Sequence, residues 1–424
     1  MPKTSLQRAT LPNGLRVVAQ SVPGVPAVGV AVHYDVGFRS EPYGRSGFAH
    51  LFEHMMFQGS RNVARGEHFS LVQGAGGLVN GSTYPDYTDY HQVVPASALE
   101  RVLFLEADRM ASLNVTETNL RTQREVVKEE IRLNVDNRPY GGFPWTVLPS
   151  VLYERWANAH NGYGDFGDLD KATAAECAEF FATHYMPGNA VLTLCGDIDP
   201  QHAIEAATKQ FEAVPSQPVP APVPLSEPWR PGPLLGTVRD LFAPRPATAL
   251  GFRLPNPGTN LDAYLAHMVL ATLLTGSEHA TLKQGLAAMS VDVSSGCGLF
   301  GPLQARDPDT FIIVATHPPQ VSSQQIAQST DAVFADIALG KVDEQDVTRA
   351  VALTRSRLLQ KRDSLLARTR SLGTHELLFG RPELGETLHD LVAGIAASQV
   401  IAAATQLSEQ QPALLSLLAE GDSR

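Results

Sequence analysis

Several features are scarce in this 424-residue sequence, and each scarcity excludes a class of protein. The only cysteines are Cys177, Cys195 and Cys297, and without a C-x-x-C pair they indicate neither a disulfide framework nor a thiolate zinc site. No apolar run reaches the roughly 18 residues that a membrane-spanning helix needs, so we expect no membrane partner. The N-terminus lacks the apolar stretch of a secretory signal, which predicts a cytoplasmic protein, with a periplasmic location as the alternative.

Positive charge is outnumbered, because the chain has 33 lysines and arginines against 44 aspartates and glutamates, a formal net charge of −11. No basic stripe is present to neutralise phosphates, which excludes nucleic acid as an expected partner. The chain is 43% hydrophobic and 18% charged, as in globular proteins and unlike disordered ones. The composition therefore predicts a folded protein whose partners are not nucleic acids.

Proline is concentrated in one segment, 214–235, where it alternates with small residues. Such a segment favours an extended connector, and it predicts a first domain at 1–213, a linker at 214–235 and a second domain at 236–424. Each half begins with strand-like segments, such as 27–34 and 248–253, and continues into helical stretches. This order predicts an α+β fold of two tandem similar domains, each a mixed β-sheet with helices packed on one face.

The segment 46–59 carries the most specific pattern in the chain, a helix with His50, Glu53 and His54. We expect Ser46 to cap its N-terminus and Gly59 to follow its C-terminus. The two imidazoles, four residues apart, project from one face and can share an ion. Glu53 can reach a water on that ion without being a ligand. The alternative is a buried helix whose histidines are satisfied by hydrogen bonds.

A catalytic zinc site usually needs three protein ligands and a water, so a further acidic residue or histidine is required. The helix at 116–133 has a predicted apolar stripe formed by Val126, Val127, Ile131 and Leu133. Glu130 falls inside this stripe, where a carboxylate is costly unless it is paired or metal-bound. The opposite side is predicted to face solvent and carries Glu125, Lys128, Glu129 and Arg132. Glu130 is therefore the predicted third ligand, with Glu129 as the fallback. Gln123, two turns earlier on the same face, is placed to hydrogen-bond Glu130 or a substrate group.

The H-x-x-E-H pattern, with Glu130 on a later helix, resembles the M16 family of inverted-motif zinc peptidases. Further segments resemble the family at 11–18, 37–41, 44–50, 76–83, 185–192 and 196–199. The resemblance implies a zinc endopeptidase that binds one Zn²⁺ per chain through His50, His54 and Glu130. It also implies that Glu53 is the general base and that the substrate is an extended peptide.

In the family, the segment that 76–83 resembles is an edge strand that pairs with the peptide substrate. The resemblance implies that Asn80, Gly81 and Ser82 line the substrate groove. The alternative is a glycine-rich turn that leads into an ordinary strand.

The second half departs from the family pattern. Many relatives carry an arginine and a tyrosine that hold substrate, but the matching positions here are Thr281 and Ala288. Threonine and alanine supply neither a guanidinium nor a phenol. The resemblance therefore implies a partner, a homologous M16-like subunit that lacks the zinc motif, with a homodimer as the alternative. Two other functions stay open, a non-catalytic assembly subunit and a peptide-binding module with structural zinc.

Overall fold

A computed structural model of the chain describes residues 5–228, 230 and 232–420. The strands are β1 (Leu6–Thr10), β2 (Arg16–Ser21), β3 (Ala27–Tyr34), β4 (Leu78–Thr83), β5 (Thr88–Pro95), β6 (Ala190–Gly196), β7 (Leu234–Arg239), β8 (Ala247–Arg253), β9 (Asp292–Cys297), β10 (Thr310–Thr316) and β11 (Ala413–Leu418). The α-helices are α1 (Phe48–Met55), α2 (Glu67–Gly74), α3 (Leu99–Ala111), α4 (Glu117–Ile131), α5 (Leu148–Leu152), α6 (Trp156–Ala159), α7 (Phe166–Lys171), α8 (Ala174–His184), α9 (Pro200–Phe211), α10 (Leu261–Thr275), α11 (Thr281–Leu286), α12 (Ser323–Ala338), α13 (Glu344–Arg362), α14 (Leu365–Phe379), α15 (Leu384–Ala393) and α16 (Ala397–Ser408).

The chain forms two compact units, each with its own mixed sheet, which confirms the predicted α+β class. The first unit contains the described residues within 1–129, 162–223 and 360–386. The second unit contains the described residues within 130–161, 224–359 and 387–424. Their sheets have the strand orders β1-β2-β6-β3-β5-β4 and β7-β11-β8-β10-β9.

The first sheet is covered on both faces, because β3 alternates its side chains between two layers of helices. On one face, a Cβ on Gly29 would lie 2.1 Å from Thr369 Oγ1, so glycine lets α14 approach closely. On the other face, Tyr34 packs against Tyr90 at 5.9 Å and against Tyr185 at 4.8 Å between ring centroids. Helix α14, from the second half of the sequence, thus covers the face that the prediction left bare.

The second sheet is covered in the same way by a helix from the first half of the sequence. A Cβ on Gly251 of β8 would lie 3.1 Å from Leu148 of α5. The next residue, Phe252, points to the opposite face, where its ring packs against Phe334 of α12 at 5.6 Å. A short helix thus closes one face of this sheet and long helices close the other.

Each unit therefore contains a segment from the other half of the sequence. The first unit contains 360–386 and the second contains 130–161. The division at 213 and 235 follows the order of the chain and stays a prediction. The boundary between the two units falls in the last turn of helix α4, most of which belongs to the first unit. Glu130 lies in that last turn, on the same continuous helix. Among the described residues no single helix is long and apolar enough to cross a membrane. The bent helix pair α15–α16 meets the same criteria by length and composition only.

Candidate metal centre

Helix α1 carries His50, Glu53 and His54, and its start is held by a carboxylate from the preceding loop. The residue before the helix is Gly47, which has a left-handed backbone with φ of 96°. Glu41 accepts hydrogen bonds from the backbone N–H groups of Gly47 at 3.0 Å and Ala49 at 2.8 Å. Glu41 is buried, so these charge-assisted bonds anchor the first turn strongly.

The predicted caps of α1 were wrong. No side chain at the N-cap position accepts a hydrogen bond, and the Ser46 backbone N–H instead donates to Asp168 at 3.2 Å. Gly59 does have a left-handed backbone, with φ of 99°, but it lies beyond the C-cap residue Met56. The reason is that the buried Glu41 satisfies the N–H groups that a local serine would otherwise take.

The apolar side of α1 packs into the first unit. Phe52 is fully buried, and its ring stacks on Tyr185 at 5.3 Å. Tyr90 of β5 donates its hydroxyl to the Phe52 carbonyl at 3.2 Å, and burial raises the pKa of Tyr90 well above its ordinary value. Tyr90 therefore stays a neutral hydrogen-bond donor that holds the middle of the helix to the sheet.

The structure brings His50, His54 and Glu130 together, as the sequence predicted. Each offers one ligand atom, and these atoms all lie within 4.8 Å of one another. The two imidazole rings are 5.2 Å apart. His50 Nδ1 lies 2.9 Å from the Tyr163 carbonyl oxygen, and a donor bond there leaves the lone pair on Nε2, as in metal-bound histidines. Tyr163 was missed because a backbone acceptor on another segment has no sequence signal.

The buried face of α4 differs from the predicted stripe. Val126 and Leu133 are 44% and 61% exposed, so they are not part of an apolar face. The buried residues instead follow a helical repeat at Leu120, Gln123, Val127 and Ile131. Lys128, predicted on the solvated side, is buried with its ammonium paired to Asp170. The carboxylate of Asp170 offsets the cost of burying the Lys128 charge, and this pairing is visible only in the tertiary structure.

Glu130 lies beside this buried face and is partly buried, whereas Glu129 is exposed. The position favours Glu130 over the fallback Glu129 as a ligand. Gln123 is buried seven residues earlier, and two helical turns place it on Glu130's side of α4. Its predicted hydrogen bond to Glu130 or to a substrate group stays a prediction.

Two imidazoles and one carboxylate are the donor set of many catalytic zinc sites. Ligand atoms at about 2.1 Å from a tetrahedral ion are roughly 3.4 Å apart, so atoms within 4.8 Å need only small side-chain rotations. Three protein donors leave a fourth position for a water or a substrate oxygen. The residues present therefore fit a catalytic zinc ion better than a closed structural one.

Glu53 points to strand β4 rather than joining the three grouped residues. Its Oε2 accepts a hydrogen bond from Thr83 Oγ1 at 2.8 Å, and a Cβ on Gly81 would lie 2.9 Å from Glu53 Cγ. Thr83 was not assigned a role from the sequence, although it ends the predicted substrate segment. Its contact depends on the register of β4 beside α1, which no local pattern reveals.

Strand β4 is the terminal strand of the first sheet. Its outer edge pairs with no other strand among the described residues, and such an edge can accept an extended peptide. Side chains alternate along it, so Gly81 faces Glu53 while Asn80 and Ser82 belong to the opposite face. The structure thus brings the predicted groove residues to a free edge beside the candidate metal centre, and only Gly81 among them faces that centre.

A buried ion pair lies on that opposite face of the sheet. Arg370 of α14 donates to both oxygens of Asp89 at 2.8 Å, and His91 Nδ1 lies 2.8 Å from the same carboxylate. Burial opposes ionisation of Asp89, but His91 and Arg370 together hold its pKa well below the ordinary value. Asp89 is therefore charged at neutral pH and ties α14 to β5.

The chain is similar to proteins of one family over most of its length. The family model described as Insulinase (Peptidase family M16) matches residues 16–140, and Peptidase M16 inactive domain matches 171–354. Zinc protease PqqE of Helicobacter pylori is 29% identical over 361 residues, 81% of this chain and 77% of that protein. Mitochondrial-processing peptidase subunit beta of Saccharomyces cerevisiae is 20% identical over 423 residues, 97% of this chain and 90% of that protein.

Solved structures are similar to this chain in fold. A protease from Helicobacter pylori matches with a TM-score of 0.88 at 24% identity, over 98% of this chain and 100% of that chain. A peptidase M16 inactive domain from Pseudomonas fluorescens matches with a TM-score of 0.82 at 19% identity, over 98% and 97% of the two chains. At these identities the likeness shows the two-sheet architecture.

Proposed function

Because this chain belongs to the M16 family of peptidases, whose two domain models together match most of it, we propose that it is a zinc-dependent endopeptidase. Its substrates are extended peptides or unfolded segments of proteins. The observation that carries the proposal is that the ligand atoms of His50, His54 and Glu130 lie within 4.8 Å of one another. Glu53 lies on helix α1 with the two histidines. One Zn²⁺ per chain would be held by those three residues.

Bound zinc would supply Lewis acidity, which polarises a peptide carbonyl and acidifies a nearby water. The remaining chemistry falls to the protein. Glu53 accepts the proton of the attacking water on its carboxylate and passes it to the leaving amine. The Tyr163 carbonyl keeps the His50 ring in one orientation. The edge of β4 binds the peptide backbone, with Asn80, Gly81 and Ser82 lining the groove.

The general-base role is tested by Glu53→Gln, which keeps the size of the side chain and removes its basicity. Purified Glu53→Gln protein should hold zinc at the wild-type level and lose roughly 10²- to 10⁴-fold in kcat on a fluorogenic peptide. Glu125→Gln, on the exposed side of α4, is the matched control and should keep full activity. Unchanged turnover of Glu53→Gln would exclude it as the base.

The ligand set is tested by metal analysis of two neighbouring variants. Glu130→Ala should lose most of its zinc, because two imidazoles alone hold the ion weakly. Glu129→Ala removes an equal charge one residue away and should keep about one zinc per chain. Full zinc occupancy in Glu130→Ala, or loss in Glu129→Ala, would reassign the third ligand.

We also propose that a homologous M16-like subunit completes the active enzyme as a heterodimer, with a homodimer as the alternative. The support is that Thr281 starts α11 and Ala288 follows it, so this stretch presents neither a guanidinium nor a phenol. Co-expression with such a subunit should raise peptidase activity well above that of the single chain. Full activity of the isolated chain as a monomer would argue against a required partner.

A non-catalytic assembly subunit is the second candidate, and the same departure at Thr281 and Ala288 favours it. That function predicts no chelator-sensitive cleavage with or without a partner, even when zinc is bound. A fluorogenic-peptide assay with and without chelator therefore separates the two candidates.

A further inference from the structure

The carboxylate arm of Glu53 touches strand β4 at two points. Thr83 Oγ1 donates a hydrogen bond to Oε2 at 2.8 Å. At Gly81, an added Cβ would come within 2.9 Å of Glu53 Cγ and 3.4 Å of the Tyr90 ring. Non-bonded carbons pack at about 3.5–4.0 Å, so only glycine leaves room for the arm in its present position. Gly81 and Thr83 share one face of the strand because they are two residues apart.

We propose that Gly81 and Thr83 are positioning residues for Glu53, the general base of the proposed function on which this inference rests. A partly exposed glutamate has several rotatable bonds and would otherwise sample many rotamers. The Thr83 hydroxyl selects one of them by a charge-assisted hydrogen bond on Oε2. The bare backbone at Gly81 leaves free the space that the Glu53 side chain occupies in that rotamer. Oε1 is then presented in one direction, as proton transfer in a fixed geometry requires.

Strand β4 also has a second role in the proposed function, because its free outer edge would pair with the peptide. Strand β4 is held rigidly by antiparallel pairing with β5, from Leu78 opposite Val93 to Thr83 opposite Thr88. One strand therefore sets both the line of the bound peptide and the place of the base. The distance between Glu53 and a paired peptide then depends on the register of β4, with no mobile loop between them.

The two residues can be tested separately by small changes. Thr83→Val keeps the shape of the side chain and removes the hydroxyl, whereas Thr83→Ser keeps the hydroxyl. Gly81→Ala places a methyl group against Glu53 Cγ while the backbone of an ordinary strand tolerates alanine. Thr183→Val is a matched control, because Thr183 is an exposed threonine on α8 whose hydroxyl bonds its own helix.

Steady-state kinetics should distinguish a defect in the general base, which lowers kcat, from a defect in peptide binding, which raises KM. Thr83→Val and Gly81→Ala should each lose roughly 10- to 100-fold in kcat with zinc content near wild type, and Thr83→Val should also keep a KM near wild type. Thr83→Ser should recover most of the rate, and Thr183→Val should be unaffected. Equal kcat in wild type and Thr83→Val would overturn the inference while leaving the endopeptidase proposal intact. Wild-type protein with no chelator-sensitive cleavage would overturn both.

A second measurement needs no zinc and no activity. In the metal-free protein, Thr83→Val should lower the midpoint of thermal unfolding by roughly 1–3 °C through the lost hydrogen bond. In a Glu53→Ala background the same change should have almost no effect, because the acceptor is gone. Additive shifts in the two backgrounds would show that Thr83 acts independently of Glu53 and would refute its positioning role.

Discussion

The Arg370–Asp89 pair gives a quantitative test of how α14 is held to the first sheet. Replacing Arg370 by methionine keeps a long apolar side chain and removes the cation. The Asp89 side chain is 0% exposed, so its charge would remain buried, and His91 would be its remaining close donor among the described residues. Breaking a buried pair by removing one partner costs about 3–5 kcal/mol. Since Arg370 is itself 26% exposed, we expect a loss near the lower end, about 3 kcal/mol.

The pH dependence of this loss has a definite sign. In the wild type the folded-state pKa of Asp89 lies well below its ordinary value of about 3.9. Its ionised form therefore contributes stability above pH 4 that is lost as the pH falls through the folded pKa. Without Arg370, burial favours the neutral carboxyl. The destabilisation of Arg370→Met relative to wild type should then be larger at pH 8 than at pH 5.

The assay is urea unfolding of metal-free protein followed by circular dichroism at both pH values. Hydrogen exchange in peptides from β5 and α14 would localise the effect. Arg355→Met is the matched control, because Arg355 and Asp390 form a 3.6 Å pair whose side chains are 47% and 69% exposed, and such surface pairs contribute little. Adding Asp89→Asn to Arg370→Met should restore much of the loss. A loss below about 1 kcal/mol, or one equal at both pH values, would refute the reasoning.

Three further predictions concern Glu41, the proposed zinc ligand Glu130 and two buried cysteines. Glu41→Ala removes both acceptors from the start of α1 and should cost about 1–2 kcal/mol of stability and weaken zinc binding, by urea unfolding and metal titration. Chelation should lower the thermal midpoint of wild type but not that of Glu130→Ala, because only protein that binds zinc is stabilised by it. Burial raises the pKa of Cys177 and of Cys195 to about 12, so neither thiol should react with a disulfide reagent at pH 8 until urea unfolds the chain.

Helical periodicity explains why the residues of α1 could be found without coordinates. His50 and His54 are one turn apart on any α-helix, and Glu53 follows from the same geometry. The third ligand required a weaker argument, a carboxylate on a stripe of apolar residues. That argument selected Glu130 although two of the four stripe residues, Val126 and Leu133, are exposed. Glu130 nevertheless lies close to His50 and His54, and Val127 and Ile131, which flank it, are buried.

The errors share a cause, since each concerned a group or face whose partner lies outside its own helix or its own half of the chain. Ser46 was predicted as the cap of α1, but Glu41 reaches the N–H groups from an adjacent loop. Lys128 was placed in solvent, but Asp170 allows it to be buried. Helices on a single face were expected for each sheet. The helices that close the remaining faces, α14 and α5, come from the opposite halves of the sequence.

The amino-acid sequence by itself determined the fold class and the helix that presents His50, Glu53 and His54, and it supplied the prediction of Glu130 as third ligand. These depend on periodicity and on the cost of burying charge, which are properties of short segments. Only the tertiary structure decided that Thr83 bonds Glu53, that Tyr163 orients His50, and that α14 closes the first sheet. Those contacts join segments separated by tens to hundreds of residues, and the packing that selects them acts through space, where sequence spacing carries no information.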